Sequence, residues 1–459
     1  MHGPASLAVA CLVLADVVAF AGDARTALAS RTNRLTRAGA PQHMGSGKKL
    51  GKNHEPPPVA ETAKAEDPVQ TIRGKHVAVT LPRSYWRMTT SSNEFVAFLD
   101  AGFDKETELM VSKGDITYTG DALKCWGLGG GGTVRIDWPA FAEVLGAFSR
   151  SNIVFGVLHE MGHCVDEPGR QRWWKFPESC GECFANIPLS YAFDYLLTTN
   201  SGYRVDIGGQ KTGREFNNTY YLPQADGYLN STADWPKIGV DQLHAFHLGL
   251  ARKYGWDVYK KWFRACLTLE GQGMGPPGGY DHPDRPVVAC ALMSAFAGAD
   301  LVPDFQKWRF PVDAEKVAAA MKTYRLEGVI SAVDQQFSQE LAGGRITLDP
   351  LSLRITKERA KMGVARVSVA LIQIDKAVVR CTLNGTEPKA NSPVYDGPML
   401  LTRMCVVKAG LFLPKQDKPL LVAEESVDPF SLPDTAQPLT GNPAKAKRQL
   451  TPHKAANHK

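Results

Sequence analysis

The stretch Leu158–Asn186, "LHEMGHCVDEPGRQRWWKFPESCGECFAN", contains more potential metal ligands than one ion can use. His159 and His163 form a spaced histidine pair. The candidates for a third ligand are Cys164, Glu178, Cys180, Glu182 and Cys183. Thiolates would close a structural site, whereas a carboxylate with one position left open would make a hydrolytic centre. The identity of the third ligand therefore decides the chemistry that this segment can perform.

The histidine pair is predicted to lie on one face of a helix over residues 151–167, with Ser151 and Asn152 able to cap its start. The apolar residues of this segment form one stripe at helical spacing: Ile153, Val154, Val157, Leu158 and Met161. At about 100° per residue, His159 and His163 lie nearly opposite that stripe and one turn apart. They are therefore available to share a metal ion, and the intervening Glu160 can reach a water on it. This His-Glu-x-x-His pattern is typical of zinc metallopeptidases.

The cysteines are weaker ligand candidates than the carboxylates. Cys164 lies about 100° around the helix from His163, and the Cys180/Cys183 pair has no second sulfur pair with which to form a structural zinc site. We expect these cysteines to form disulfides, with Cys164 tied to the segment that follows it. Glu182 is far enough from His163 for the chain to return on a second helix, and Glu178, beside Pro177, is an alternative.

"HEMGH", a loop with tryptophans and then "GECFAN" resemble the enhancin and mucin-degrading branch of the gluzincin metallopeptidases. The segment "LMSAFAGADLVPDFQKWRFPVDAEKV" (Leu292–Val317) is similar to the closing helical part of that family, so the resemblance spans roughly His76–Arg325. It implies one zinc ion. The residues that match the family motif are His159, His163 and Glu182 as ligands and Glu160 as catalytic base. Asn186, one turn after Glu182, is expected to support the site. Pro188 departs from the pattern and predicts a kink in the second helix.

The chain has 459 residues, 44% of them hydrophobic, and a formal net charge of +6. The basic excess lies in residues 22–67 and 430–459, so residues 68–429 carry no net charge. Nucleic-acid binding is therefore not expected. The apolar stretch Leu7–Ala21, which ends in Ala19-Phe20-Ala21, predicts a signal peptide over residues 1–21 and a secreted, periplasmic or cell-surface protein. No other stretch is apolar enough for a stable membrane span.

The pattern of the remaining chain predicts an α+β fold. Residues 22–75 are a linker of basic and proline-rich composition, and residues 76–330 are the metallopeptidase domain, with a mixed sheet region and a helical subdomain. Strands are expected at Asp115–Gly120 and Thr133–Trp138, and the second could bind a substrate backbone by edge addition. The glycine-rich stretch between them is interpreted as a flexible turn beside a cleft-edge strand, not as a phosphate site. From Pro139 to about Arg325 the chain is mainly helical, with a break at Gly255.

After a linker at residues 331–344, residues 345–428 form a separate all-β module, and residues 429–459 are a basic tail. Val378–Phe412 resembles the Ig-like β-sandwich at the C-terminus of chitobiases, with Asn384-Gly385 in its turn. In this resemblance Cys381 and Cys405 are the module's two cysteines and are expected to form a disulfide. Such modules serve as spacers or contact glycans. Asn217, Asn230 and Asn384 lie in glycosylation sequons.

The leading hypothesis is a secreted zinc endopeptidase that acts on proteins or glycoproteins, with mucin-like substrates implied by the family resemblance. One alternative is a surface adhesin, inactive or weakly active, that binds glycans through its β-module. A third hypothesis is hydrolysis of a non-peptide amide. A peptidase also needs an oxyanion donor, for which the available side chains are Tyr191, Tyr220, Tyr221, His244 and His247.

Overall fold

A computed structural model describes residues 67–166, 172–177, 181–206, 210–372, 374, 376–414 and 416–432. The chain divides into two compact units. The first extends to Ser352 and includes residues 371–375, and the second comprises the rest. The predicted signal peptide, most of the predicted linker at 22–75 and most of the tail lie outside the described residues.

The first unit begins with a mixed five-stranded sheet. Its strands are β1 (Val69–Arg73), β2 (Val77–Pro82), β3 (Ile116–Asp121), β4 (Gly127–Gly130) and β5 (Thr133–Asp137). Their order is β1-β2-β3-β5-β4. The two central pairings, β2 with β3 and β3 with β5, are parallel, and the outer strands β1 and β4 are antiparallel to their neighbours. β1 lies inside the predicted linker, which is therefore wrong at this end because residues 69–73 pair with β2.

The glycine-rich stretch forms strand β4 at the edge of this sheet, so its interpretation as a flexible turn is wrong. Only Gly131 and Gly132, with φ of 59° and 78°, make the turn into β5. The predicted strand at Thr133–Trp138 is confirmed in substance as β5, but it lies between β3 and β4. β5 therefore cannot accept a substrate backbone, because both of its edges are already paired.

Helices make up most of the first unit after the sheet, and the predicted α+β class is confirmed. The α-helices are α1 (Arg83–Trp86), α2 (Ser92–Met110), α3 (Trp138–Phe148), α4 (Gly156–Asp166), α5 (Cys183–Leu196), α6 (Gly213–Phe216), α7 (Ala225–Leu229), α8 (Val240–Tyr254), α9 (Trp256–Gly271), α10 (Asp284–Ala297), α11 (Val302–Lys307), α12 (Ala314–Thr323) and α13 (Leu326–Ala342). The predicted break at Gly255 is confirmed, since this residue has a φ of 88° and separates α8 from α9.

The predicted start of the histidine helix is wrong. Asn152–Ile153 form a short strand, β6, which pairs in parallel with β7 (Arg204–Val205). Ser151 adopts a φ of 60°, and α4 begins at Gly156. The Ser-Asn pair therefore does not cap the helix, because its backbone is committed to a pairing with a segment about fifty residues further along.

The predicted linker at 331–344 is also wrong. Most of it belongs to α13, which packs its apolar residues into the core of the first unit. Lys261 on α9 pairs with Asp334 at 2.7 Å, and Arg264 pairs with Glu340 at 2.6 Å. The first unit therefore continues to Ser352.

A buried carboxylate links α2 to α9 and predicts acid-sensitive stability. Glu108 Oε1 lies 3.0 Å from Lys260 Nζ and accepts the Thr347 N–H at 2.9 Å, while Oε2 lies 2.6 Å from Lys105 Nζ. Burial alone would raise the pKa of this carboxyl, but Lys260 and Lys105 outweigh it and lower the pKa to about 2. Its stabilisation is present above the pKa of the unfolded chain and is lost as pH falls towards 2.

We expect Glu108→Gln to lower the free energy of unfolding at pH 7 by about 3 kcal/mol, since two to three pKa units separate the folded and unfolded states. The deficit should shrink as pH falls from 5 to 3. Urea unfolding of both proteins across this range measures it, with exposed Glu143→Gln as the matched control. A deficit that does not change with pH would contradict the assignment.

The second unit contains two three-stranded sheets, as predicted for a small all-β module. The strands are β8 (Leu353–Lys361), β9 (Val364–Leu371), β10 (Val378–Thr382), β11 (Met399–Leu401), β12 (Cys405–Phe412) and β13 (Leu421–Val427). One sheet has the order β10-β12-β13 and the other β11-β9-β8. Their inner faces share a small apolar core: Ala365, Val367, Val407, Val427 and Leu432.

The predicted disulfide between Cys381 and Cys405 is not formed. Cys381 is opposite Ala409 in the β10–β12 ladder, so Cys405 is four residues away along β12. Four residues of strand span about 13 Å, whereas a disulfide needs Cα atoms within about 7 Å. The expected bridge from Cys164 is not formed either, because its thiol is free and donates to the carbonyl of Thr133 at 3.5 Å. Cys180 lies outside the described residues.

The three glycosylation sequons differ in exposure. Asn217 is fully buried, and its side chain bonds to Ser190 and Asp194, so a glycan cannot be attached to it in the folded unit. Asn230 and Asn384 are exposed. Among the residues that the structure describes, no helix has the length and apolarity that a membrane crossing requires.

Candidate metal centre

Two helices bring the predicted ligands together. His159 and His163 lie one turn apart on α4, and Glu182 immediately precedes α5. Glu182 Oε2 lies 3.1 Å from His159 Nε2 and 2.9 Å from His163 Nε2, and the two Nε2 atoms are 3.2 Å apart. These three residues are the one cluster with metal-ligand geometry among the described residues. The alternative Glu178 lies outside them.

The cluster fits a zinc ion better than it fits a hydrogen-bonded group of side chains. Three atoms that carry lone pairs point at a common centre, although a proton can join only two of them at a time. A tetrahedral ion with bonds of about 2.0–2.1 Å holds its ligands about 3.3 Å apart, close to the separations found here. Two imidazoles and a carboxylate are also the donor set of zinc sites that keep one position open for water. The residues present therefore fit the ion.

Asn186 orients His159. It lies one turn into α5, and its Oδ1 accepts the Nδ1–H of His159 at 2.8 Å. This bond fixes the imidazole tautomer that leaves the Nε2 lone pair directed at Glu182 and His163. Asn186 is buried, so water does not compete for the bond. The N-cap and first turn of α5 thus supply both a ligand candidate, Glu182, and the group that orients His159 on the neighbouring helix.

The pKa values of His159 and Glu182 are shifted so that, without metal, the cluster holds a proton in the place that a cation would take. Burial alone would lower the pKa of His159, but the carboxylates of Glu182 and Glu160 outweigh it and raise the pKa to about 9. Burial would likewise raise the pKa of Glu182, but the two histidines hold it well below its usual range. Without metal, the negative charge of Glu182 is therefore balanced by a protonated histidine.

Glu160 lies beside the cluster in a dry environment. Its side chain is fully buried, and among the described residues neither carboxylate oxygen forms a hydrogen bond of normal geometry, with the Gly129 N–H as a nearby backbone donor. Burial raises the pKa of this carboxyl, while His159 and His163 act in the opposite direction. A carboxylate that is poorly solvated and not tied up by donors is basic enough to accept a proton from a nearby water.

Two glycines on α4, Gly156 and Gly162, allow this helix to pack closely against Trp126 and α5. A Cβ atom at Gly162, between the histidines, would lie 2.4 Å from the carbonyl oxygen of Ala185 on α5. A Cβ atom at Gly156 would lie 2.5 Å from the ring of Trp126. α4 and α5 can therefore approach closely enough for Glu182 to reach both histidines. Pro188, for which the sequence predicts a kink, lies inside α5, which runs from Cys183 to Leu196.

We expect Gly162→Ala to push α4 and α5 apart, because the new methyl group meets a backbone oxygen that cannot rotate away. Overpacking of this kind costs about 1–3 kcal/mol of stability, and the larger ligand separation should weaken zinc binding roughly tenfold or more. Thermal unfolding and zinc titration measure the two effects. Gly249→Ala on α8, where a Cβ atom has open space, is the control. Wild-type zinc affinity in Gly162→Ala would show that the close approach does not matter.

The histidines considered as oxyanion donors are structural in this unit. His244 donates to Ser190 Oγ at 2.9 Å, and His247 donates to Tyr259 at 3.1 Å and stacks on Trp262. Both are fully buried or nearly so, and burial lowers the pKa of each, to about 3 for His247. They are neutral core residues.

The tyrosines considered for the same role also serve the packing of the unit. Tyr221 stands over His244 with the two rings 4.1 Å apart, and Tyr220 stacks on Phe216. Tyr191 packs against Trp256 and under the ammonium of Lys260. Within the described residues, no contact favours any of them as an oxyanion donor.

Comparison with known families confirms both resemblances that the sequence predicted. The family model for peptidase M60, enhancin and enhancin-like proteins, matches residues 51–309. The model for the chitobiase and β-hexosaminidase C-terminal domain matches residues 363–417, within the second unit.

Individual relatives are distant. A TRPM8 channel-associated factor homolog from Danio rerio is 24% identical over 160 residues, which is 35% of this chain and 16% of that protein. A protein of unknown function from Bacillus anthracis str. Ames has a TM-score of 0.45 at 14% identity, with 79% of this chain and 73% of that chain covered. The ZmpB metallopeptidase from Clostridium perfringens has a TM-score of 0.36 at 14% identity, with coverage of 78% and 69%.

Proposed function

Because the chain belongs to the peptidase M60 family of enhancin-like proteins, we propose that it is a secreted zinc endopeptidase that cleaves glycoproteins of the mucin type. The observation that carries the proposal is the convergence of His159, His163 and Glu182 within 3.2 Å of one another, beside the buried carboxyl of Glu160. The glycoprotein class follows from the enhancin relationship, and export follows from the apolar segment Leu7–Ala21.

In the proposed site, His159, His163 and Glu182 would hold one zinc ion. When bound, the ion would act as a Lewis acid that lowers the pKa of a water and polarises a peptide carbonyl. Glu160 accepts a proton from the attacking water and passes it to the departing amine, since its carboxylate oxygens form no hydrogen bond of normal geometry among the described residues. Asn186 keeps His159 in the tautomer that this arrangement needs.

The edge strand β4 is the proposed binding surface for the peptide. The Asp137 N–H donates to the Trp126 carbonyl at 2.9 Å, which makes this a hydrogen-bonded pair at the start of the β4–β5 ladder. Antiparallel pairs alternate, so the N–H and C=O groups of Gly127 and Gly129 point away from β5. An extended peptide can add to this edge as a further strand, alongside Glu160. The second unit is proposed as an accessory that contacts glycans.

Removal of metal tests the reaction type. We expect purified protein to cleave casein or mucin, to lose this activity on treatment with a zinc chelator, and to regain it when one equivalent of zinc is added. Gel analysis of the fragments together with metal quantification measures both effects. Binding to mucin without cleavage, at full zinc occupancy, would favour the adhesin hypothesis instead.

A further inference from the structure

Strand β4 has the sequence Gly-Leu-Gly-Gly, although the backbone conformation of its first and third residues does not require glycine. Gly127 is the first residue of the strand and Gly129 lies inside it, and glycine normally weakens a sheet because it is flexible and has no side chain to pack. The positive φ values of this stretch belong to Gly130, Gly131 and Gly132, and not to Gly127 or Gly129. The reason for glycine at these two positions is therefore space, not backbone conformation.

The space that these glycines leave is filled by α4. A Cβ atom at Gly129 would stand 1.9 Å from the backbone oxygen of Glu160 and 3.0 Å from His163 Cβ. A Cβ atom at Gly127 would stand 3.0 Å from Cγ, 3.1 Å from Oε1 and 3.2 Å from Cδ of Glu160. Gly129 thus contacts the helix backbone, whereas the contacts of Gly127 are with the side chain that the proposed reaction uses.

Packing against neighbouring atoms largely sets the position of the Glu160 carboxyl. The side chain is fully buried, and among the described residues neither oxygen forms a hydrogen bond of normal geometry, although the Gly129 N–H acts on it as a nearby backbone donor. Gly127 borders the carboxyl on the β4 side. A methyl group on that side would displace the carboxyl by a few tenths of an ångström, and a misplacement of about 1 Å costs on the order of 10²-fold in rate.

We infer that Gly127 is a positioning residue, which places the carboxyl of Glu160 for proton transfer by leaving room for it against the edge strand. This inference rests on the proposed function. It distinguishes Gly127 from Gly129, whose substitution would displace the α4 backbone and with it both histidines.

The test is a double-mutant cycle of Gly127→Ala, Glu160→Ala and the two combined. We expect Gly127→Ala to lower kcat roughly tenfold, with KM, zinc content and melting temperature close to those of the wild type. Because alanine lacks the Cγ and carboxyl atoms that the new methyl group would meet, the double variant should be no slower than Glu160→Ala alone. Gly328→Ala, at an exposed helical glycine with open space around it, is the control.

Independent effects that multiply in the double variant, or wild-type kcat in Gly127→Ala, would overturn the inference. So would a loss of zinc or of melting temperature that accounts for the loss of rate, since Gly127 would then be a packing position only. The visible spectrum of the Co²⁺-loaded protein at a fixed pH gives a readout that does not need turnover, because it responds to the groups beside the ion. We expect Gly127→Ala to shift the absorption maximum, while Gly328→Ala leaves it at the wild-type position. An unchanged spectrum in Gly127→Ala overturns the inference, whereas a wild-type protein that cleaves nothing overturns the proposed function.

Discussion

Glu160→Gln is expected to abolish cleavage while leaving the zinc content unchanged. The amide has nearly the shape of the carboxyl, so it should occupy the same buried space beside Gly127. It cannot accept a proton from the attacking water, and the loss of a general base lowers kcat by about 10²- to 10⁴-fold. Because Glu160 is not one of the three converging ligand candidates, metal binding should survive. Peptide turnover and metal quantification on the same preparation measure both quantities.

Glu143→Gln is the matched control for this substitution, since it makes the same chemical change at an exposed position on α3. It should leave turnover and zinc content at wild-type levels. Equal proteolysis of casein or mucin by the wild type and Glu160→Gln would contradict the role of Glu160 as base. Loss of zinc in Glu160→Gln would mean that this carboxyl contributes to the ligand set.

The local part of the site could be predicted from the sequence because its spacing is helical. A histidine pair one turn apart off the apolar stripe must share a face once the helix forms, and the structure brings the pair together with Glu182. The start of that helix could not be predicted, because a strand pairing between Asn152 and Arg204 competes with the local capping signal. A helix boundary that is set by pairing with a distant segment cannot be recognised from the residues around the boundary itself.

The role of the glycine-rich stretch could not be predicted for a related reason. Four successive glycines indicate a turn by local preference, and the sequence does not show that a helix presses against them. Glycine at 127 and 129 makes physical sense only once Glu160 and the α4 backbone lie beside it. The tertiary contact outweighs the low strand propensity, and Glu160, the proposed base, makes that contact.

The predicted linker at 331–344 and the predicted Cys381–Cys405 disulfide are both wrong, each for a specific structural reason. Residues 331–344 were expected to be a linker, yet Val333, Phe337 and Leu341 recur every four residues, which is a helical signal present in the sequence. The pairing of Cys381 with Cys405 fails on strand register, which places Cys405 four residues from the position opposite Cys381. Register depends on the turns and packing of the whole module, and cysteine counting cannot supply it.

Glu182→Ala is expected to remove zinc from the purified protein and to abolish cleavage as a consequence. Zinc sites with four ligands bind with about 10–16 kcal/mol, so one ligand is worth roughly 3 kcal/mol, or on the order of 10² in affinity. Glu182 is also the negatively charged member of the three ligand candidates, so its removal leaves only two neutral imidazoles to hold a divalent ion. Zinc titration and metal content after dialysis measure the effect.

Glu178→Ala is the matched control, because Glu178 is the alternative candidate for the third ligand in the same short segment. Both variants remove one negative charge within four residues of each other, so a general electrostatic loss would affect them alike. Loss of a metal–ligand bond, in contrast, would affect only the variant that lacks the ligand. Zinc lost in Glu182→Ala and kept in Glu178→Ala would assign the third ligand to the residue that already lies within 3.1 Å of both histidines. Zinc lost in Glu178→Ala alone would move the site to the other carboxylate and leave Glu182 as a hydrogen-bond acceptor for the histidines.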